Sequence, residues 1–209
     1  MLTVYGCPNS RSMRMVWALE EAGAEYAYIL IDLFRGAGRS PDFLRINPAG
    51  KVPALVEDGT ALTESGAILM WLADKYPHAR LIPGTDEPRA RADVLQWLMF
   101  GLTELEPPLW TIAKHRFVLP ESRRVPQIEE TSKWEFASAC ALLARHLGQK
   151  PYVAGNRFSI ADIVITHCLA WAQSARIEIV PALLVDYMEH HWHRPAARRA
   201  IEREARPAQ

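Results

Sequence analysis

Residues 76–88 carry Pro77, Pro83, Gly84 and Pro88, and the hydrophobic rhythm of the chain differs on the two sides of them. Proline and glycine interrupt regular structure more strongly than other residues, so this stretch reads as a linker. Ahead of it, short runs of β-branched and aromatic residues alternate with segments of helical period. Behind it, every periodic segment is helical. A uniform all-β or all-helical fold is thereby excluded. The expected architecture is a small α/β domain over residues 1–78, a linker over 79–87 and an all-helical domain over 88–209.

In the first part, Leu2-Thr3-Val4-Tyr5 is a short strand that runs into Gly6-Cys7-Pro8-Asn9-Ser10. A helix follows with Met13, Val16, Trp17 and Ala18 on one side and Gly23 as its stop. Residues 26–31 form a second strand, and Ser40-Pro41 pairs an N-cap with proline at the first helical position. Residues 52–57 and 60–62 flank Asp58-Gly59, a strong two-residue hairpin turn, and the helix over 63–76 is stopped by Pro77. The order βαβ, α, ββα predicts a mixed sheet with helices on its faces. In the second part, helices are expected near 88–115, 124–147, 159–174, 181–192 and 195–204, with Pro107-Pro108 kinking or breaking the first.

The 209 residues are 49% hydrophobic, enough for a core and against wholesale disorder. Lysine plus arginine (24) balances aspartate plus glutamate (24), so no global field favours nucleic acid or an acidic membrane surface. No run approaches about 18 apolar residues, which argues against a membrane span. The start, residues 1–5, lacks the basic and apolar regions of a signal peptide, and Cys7, Cys140 and Cys168 are too far apart for a zinc knuckle or a CxxC pair. A reducing cytoplasm is the expected location. His190 and His193 sit one helical turn apart, but only Glu189 is near as a third ligand, so no metal site is expected. The arginines at 194, 198, 199, 203 and 206 are interspersed with Glu202 and Glu204, the pattern of a solvated final helix.

Two segments carry more information. Pro53 lies inside an otherwise good strand although proline cannot donate to a ladder. It marks either the edge of the strand or a cis bond that frees the Val52 backbone for an extended ligand. Thr63-Glu64-Ser65 falls where the hairpin passes into a helix N-terminus. It reads either as capping or as a polar site that takes a ligand carboxylate on helix N–H groups and an ammonium on Glu64.

Residues 7–14, the run Asn47-Pro48-Ala49-Gly50-Lys51-Val52-Pro53-Ala54-Leu55, the run Leu62-Thr63-Glu64-Ser65-Gly66-Ala67-Ile68 and residues 152–162 together resemble the cytosolic glutathione transferase superfamily, in order and spacing. The resemblance covers essentially the whole chain. It implies an N-terminal thioredoxin-like βαβαββα domain, a C-terminal helical-bundle domain, glutathione as co-substrate without a metal, and a homodimer. It further implies that Val52, beside a cis Pro53, pairs with the cysteinyl part of glutathione. Glu64 and Ser65 would hold the γ-glutamyl ammonium and carboxylate, and Lys51 would face the glycyl carboxylate. Where many relatives place a histidine or glutamine for that carboxylate, this chain has Gly38-Arg39, and Arg39 is expected to substitute. A hydrophobic electrophile would be met by Trp97, Phe100, Leu109, Trp110 and Phe117, each also eligible for the core. Ser159-Ile160-Ala161-Asp162 reads as a capping box opening a buried helix, so Asp162 is expected to serve folding.

Glutathione reacts as its thiolate, whereas a free cysteine thiol titrates near pH 8.5. In the serine-type members a hydroxyl before the first helix donates to the sulfur, and Ser10 is the leading residue for that role, with Ser12 and Asn9 behind it. Cys7-Pro8 also resembles the start of the cysteine-type members. There Pro8 at the first helical position would make Cys7 an N-cap with a lowered thiol pKa, fit for mixed-disulfide chemistry. Three functions stay open: a transferase using Ser10, a thiol transferase or reductase using Cys7, and a non-catalytic glutathione-binding protein. A zeta-type isomerase is disfavoured because the serine–cysteine-rich helix start of that class is absent.

Overall fold

The computed structural model describes residues 1–205, so Arg206 of the arginine series lies outside the described residues. The described residues divide into two compact units, 1–84 with 193–205, and 85–192.

In the first unit, β1 (Leu2–Gly6), β2 (Tyr26–Leu30), β3 (Ala54–Glu57) and β4 (Thr60–Thr63) form one sheet in the order β2-β1-β3-β4. β1 and β2 run parallel through α1 (Ser12–Ala22), as a βαβ crossover requires, and β3 and β4 run antiparallel around Asp58-Gly59. Helix α1 ends at Gly23, whose φ of 60° supplies the left-handed C-cap. Helix α2 (Pro41–Ile46) is capped by Ser40 Oγ, which accepts from the Phe43 N–H at 3.3 Å. Helix α3 (Ser65–Lys75) packs on α1.

The final helix is placed differently from the sequence expectation. Helix α9 (Pro195–Ala205) does not join the all-helical domain; it packs along α1 in the first unit. It buries Ala196, Ala197, Ala200 and Glu204, a stripe of helical spacing. Ion pairs fix its position: Arg194 Nε to Glu21 Oε1 at 2.7 Å and Arg199 Nε to Glu20 Oε2 at 2.8 Å.

The second unit holds α4 (Pro88–Phe100), α5 (Glu106–Ala113), α6 (Ile128–Leu147), α7 (Ile160–Ser174) and α8 (Leu183–Trp192). Pro107-Pro108 does not break the first long helix. A π-helical turn over Gly101–Leu105 joins α4 to α5, and the prolines sit in the first turn of α5, where the widened turn accommodates their missing N–H groups. Gly101 is needed there, because a Cβ would lie 2.8 Å from Val164 Cγ1 on α7. Helix α7 is buried almost throughout. At its N-terminus the Asp162 carboxylate accepts from the backbone N–H of Val153 and Ser159 and from Ser159 Oγ, each at 2.8 Å, and from the Tyr187 hydroxyl at 2.6 Å. Burial pushes this carboxyl up, and the four donors pull it back. No helix among the described residues is long and apolar enough to cross a membrane.

Candidate functional site

Strand register decides which loops meet. Tyr5 pairs with Ala54 and Ala54 with Thr63, so these residues form one row across the sheet, and Gly6 pairs with Leu30 in the next. The chain leaves β1, β2 and β4 and approaches β3 at the same end. Cys7 and Ser10, the loop after β2 with Arg39, the Lys51-Val52-Pro53 approach and the Glu64-Ser65 junction are thereby gathered at one edge of the first unit.

The Val52–Pro53 bond is cis, and Val52 precedes the ladder, which begins at Ala54; its backbone is not committed to β3. Asn47 shapes this approach. Its side chain is buried, Nδ2 donates to the Lys51 carbonyl at 2.6 Å, and Oδ1 accepts from the Ala49 N–H at 3.1 Å. Gly38 and Gly50 touch backbone to backbone: a Cβ on Gly38 would stand 2.6 Å from the Gly50 carbonyl oxygen. A Cβ on Gly50 would lie 3.2 Å from an Arg39 guanidinium nitrogen. The exposed cations Arg39 and Lys51 therefore share one rim.

Glu64 caps α3 with φ 66° and ψ 116°, a conformation L-residues seldom adopt, and its side chain is exposed. Strain of this kind is retained where surrounding structure fixes it, often at ligand sites. The neighbouring Ser65 is buried, and its Oγ accepts from Arg14 Nη1 at 3.2 Å. Arg14 is itself fully buried in α1.

The loop between β1 and α1 corrects one expectation. Cys7 is not an N-cap: α1 begins at Ser12 with Arg11 before it, and Asn9, at φ 58°, turns the chain away from helix. The thiol lies in an apolar cluster with Ile31, Phe43, Val52 and Ala54, and burial pushes its pKa up. Ser10 is half-buried, and its Oγ donates to the Cys7 carbonyl at 2.6 Å or to Ser12 Oγ at 2.9 Å. Ser12 is fully buried and reaches Glu204 Oε1 at 2.5 Å.

Two family models match this chain: Glutathione S-transferase, N-terminal domain, over residues 1–74, and Glutathione S-transferase, C-terminal domain, over residues 135–192. The disulfide-bond oxidoreductase YfcG of Escherichia coli K12 is 31% identical, with 96% of this chain and 94% of that protein covered. Glutathione S-transferase 3 of Zea mays is 30% identical over 97% and 92%. The structure of a sphingomonad glutathione S-transferase complexed with glutathione superposes with a TM-score of 0.84 at 30% identity, covering 97% of this chain and 98% of that one. This chain belongs to the glutathione S-transferase family.

The second unit divides the side chains expected to meet an electrophile. Trp97 is buried with its ring stacked on His146, centroids 3.9 Å apart, and Leu109 is buried; both serve the core. Phe100 and Trp110 are half-buried and Phe117 is 61% exposed, so these rings remain reachable. His191 of the histidine run is buried, and its Nε2 lies 2.8 Å from the Pro151 carbonyl oxygen. Among the described residues no group of three or more His, Cys, Asp and Glu side chains is placed to hold a metal.

The sequence does not mark Asn47, Arg14 and Glu204 as side chains that hold the loops around this edge. A signal existed for the last two. Arg14 is a charge inside the apolar run that opens α1, and Glu204 continues the spacing of Ala197 and Ala200.

Proposed function

We propose that this protein is a glutathione transferase in which Ser10 donates a hydrogen bond to the glutathione sulfur and favours its thiolate for attack on a hydrophobic electrophile. The observation carrying this reading is the contrast at the β1–α1 loop. The Ser10 hydroxyl is half-buried in a loop at the same sheet edge as the cis-Pro53 approach, while the Cys7 thiol is enclosed by apolar side chains that disfavour its charged form. On this reading Val52 pairs with the cysteinyl backbone, Glu64 and Ser65 take the γ-glutamyl end, and Lys51 with Arg39 takes the glycyl carboxylate. Phe100, Trp110 and Phe117 offer ring faces to the electrophile. The reading also includes a cytoplasmic homodimer, with the second unit supplying electrophile contacts.

The test is an ultraviolet titration of thiolate absorbance with and without glutathione, joined to turnover of 1-chloro-2,4-dinitrobenzene. The expected result is a thiolate that titrates below its free value only when glutathione is bound. Ser10→Ala is expected to lower turnover about a hundredfold with the glutathione Kd within about twofold. Unchanged turnover in Ser10→Ala refutes the serine assignment, and bound glutathione without any depressed titration indicates a binding protein. The name of the Escherichia coli relative favours a second reading, thiol–disulfide exchange through Cys7. That reading requires a low-pKa thiolate in the free protein, lost in Cys7→Ala.

A further inference from the structure

Glu204 is a carboxylic acid held inside the protein by the final helix, directly beneath the loop that carries Ser10. It is 6% exposed, its Oε1 lies 2.5 Å from Ser12 Oγ, and the Tyr28 hydroxyl lies 3.4 Å from the same oxygen. Ser12 Oγ in turn lies 2.9 Å from Ser10 Oγ. Backbone groups hold both hydroxyls in place: the Cys7 N–H donates to Ser12 Oγ at 3.1 Å, the Ser12 N–H donates to Ser10 Oγ at 3.2 Å, and the Cys7 carbonyl oxygen, 2.6 Å from Ser10 Oγ and 2.8 Å from Ser12 Oγ, can accept from either hydroxyl. The result is a continuous oxygen chain from a half-buried serine to a buried carboxyl.

A serine hydroxyl has one proton to give, and both the Cys7 carbonyl and an ionised carboxylate only accept. With Glu204 ionised, the Ser12 proton belongs to the carboxylate and the Ser10 proton belongs to Ser12 or to the Cys7 carbonyl. Ser10 Oγ then keeps a lone pair that can accept a proton. With Glu204 protonated the chain can reverse: the carboxyl donates to Ser12, Ser12 donates to Ser10, and the Ser10 proton is released for another acceptor. The ionisation state of Glu204 thus biases whether Ser10 receives a proton or donates one, against the Cys7 carbonyl as the competing acceptor for both hydroxyls.

Resting on the reading of Ser10 given above, we propose that Glu204 is the terminal acceptor for the glutathione thiol proton, reached through Ser10 and Ser12. In the step, the S–H bond breaks as its proton passes to Ser10 Oγ, the Ser10 proton passes to Ser12 Oγ, and the Ser12 proton passes to Glu204. Three bonds to hydrogen break and three form, with no change of oxidation state. The thiolate is left accepting a hydrogen bond from Ser10, the arrangement that nucleophilic attack requires. Glu204 acts through the two serines and is a positioning residue that also stores the proton.

The surroundings tune the acceptor to this task. Burial pushes the Glu204 carboxyl up to about 7, close enough to a thiol for transfer between them to be nearly balanced. The groups facing it are Ser12 on α1, Tyr28 on β2 and the Cys7 thiol; Glu20 and Glu21 on α1 and Tyr26 on β2 face the arginines at 194, 199 and 203. Three arginines are engaged with that second set: Arg194, just before α9, with Glu21, and on α9 Arg199 with Glu20 and Arg203 with the Tyr26 carbonyl; Arg198 is the remaining cation of the helix. Glu204 takes up a proton below about pH 7 and cannot accept a second, so thiolate formation is expected to rise with pH through that value.

The experiment is the bound-thiolate titration repeated on Glu204→Gln, with the pH profile of kcat/KM for 1-chloro-2,4-dinitrobenzene. Glutamine keeps a hydrogen bond to Ser12 but stores no proton. The expected result is a glutathione Kd within about twofold of wild type, a thiolate midpoint raised by about one pH unit or more, and the limb near pH 7 removed. At pH 7.5 kcat/KM is expected to fall at least about tenfold. Ser12→Ala, which opens the chain and leaves Glu204 in place, is expected to give the same midpoint shift and stands in if Glu204→Gln does not fold. A lowered melting temperature with an unchanged midpoint and pH profile in both variants overturns the relay. A wild-type complex without any thiolate overturns the Ser10 reading itself, which separates the two failures.

Discussion

Asp162→Ala is expected to remove about 4 kcal/mol of stability and shift the urea midpoint accordingly. Four donors converge on this carboxylate: two backbone N–H groups and the hydroxyls of Ser159 and Tyr187. Alanine strands all of them in a site that is 0% exposed at residue 162. Each unsatisfied buried donor costs roughly 1–3 kcal/mol, and partial relaxation keeps the total below a simple sum. A loss of that size is a large share of the 5–15 kcal/mol that holds typical domains together. Asp162→Asn keeps the shape but turns one acceptor into a donor facing donors, so about half the loss is expected. A loss under about 1 kcal/mol for alanine contradicts the structural role assigned to this residue.

Glu64→Gly separates stability from binding. At φ 66° and ψ 116° a glutamate backbone carries strain of about 1–3 kcal/mol, which glycine releases at an entropic cost of about 0.5–1 kcal/mol. The variant is expected to be as stable as wild type or up to about 1 kcal/mol more stable. Its glutathione Kd, by calorimetry, is expected to rise at least about tenfold through loss of a charge-assisted hydrogen bond. Glu64→Ala is expected to lose the same affinity without the gain in stability. An unaltered Kd in both variants removes Glu64 from the ligand site.

The sheet and its working edge were legible because their signals are local. Period-two runs, the Asp58-Gly59 turn and the Ser40-Pro41 helix start each act within a few residues, and the hairpin alone brings Pro53 and Glu64 to the same end. The misplaced features depend on distant partners. Pro8 looked like a helix start, yet Asn9 at positive φ and the Ser12–Cys7 hydrogen bonds hold the loop open until Ser12. The last helix looked solvated because arginine and glutamate dominate its sequence. Its buried stripe is made of alanines, whose small side chains give a weak hydrophobic signal, and of Glu204, which counts as polar on any scale. Trp97 and Phe117 could not be told apart by type, since the stacking of Trp97 on His146 depends on a helix some fifty residues later.

The return of α9 to the first unit also has a temporal side. Ser12 and Glu204 are separated by 192 positions, so α1 leaves the ribosome long before the helix that covers it exists. At about 5–20 residues per second, the nascent chain waits roughly ten to forty seconds with that flank of α1 bare. The first unit is therefore completed only after the second has been made, and a chain cut short anywhere before α9 leaves the ribosome with that flank of α1 uncovered.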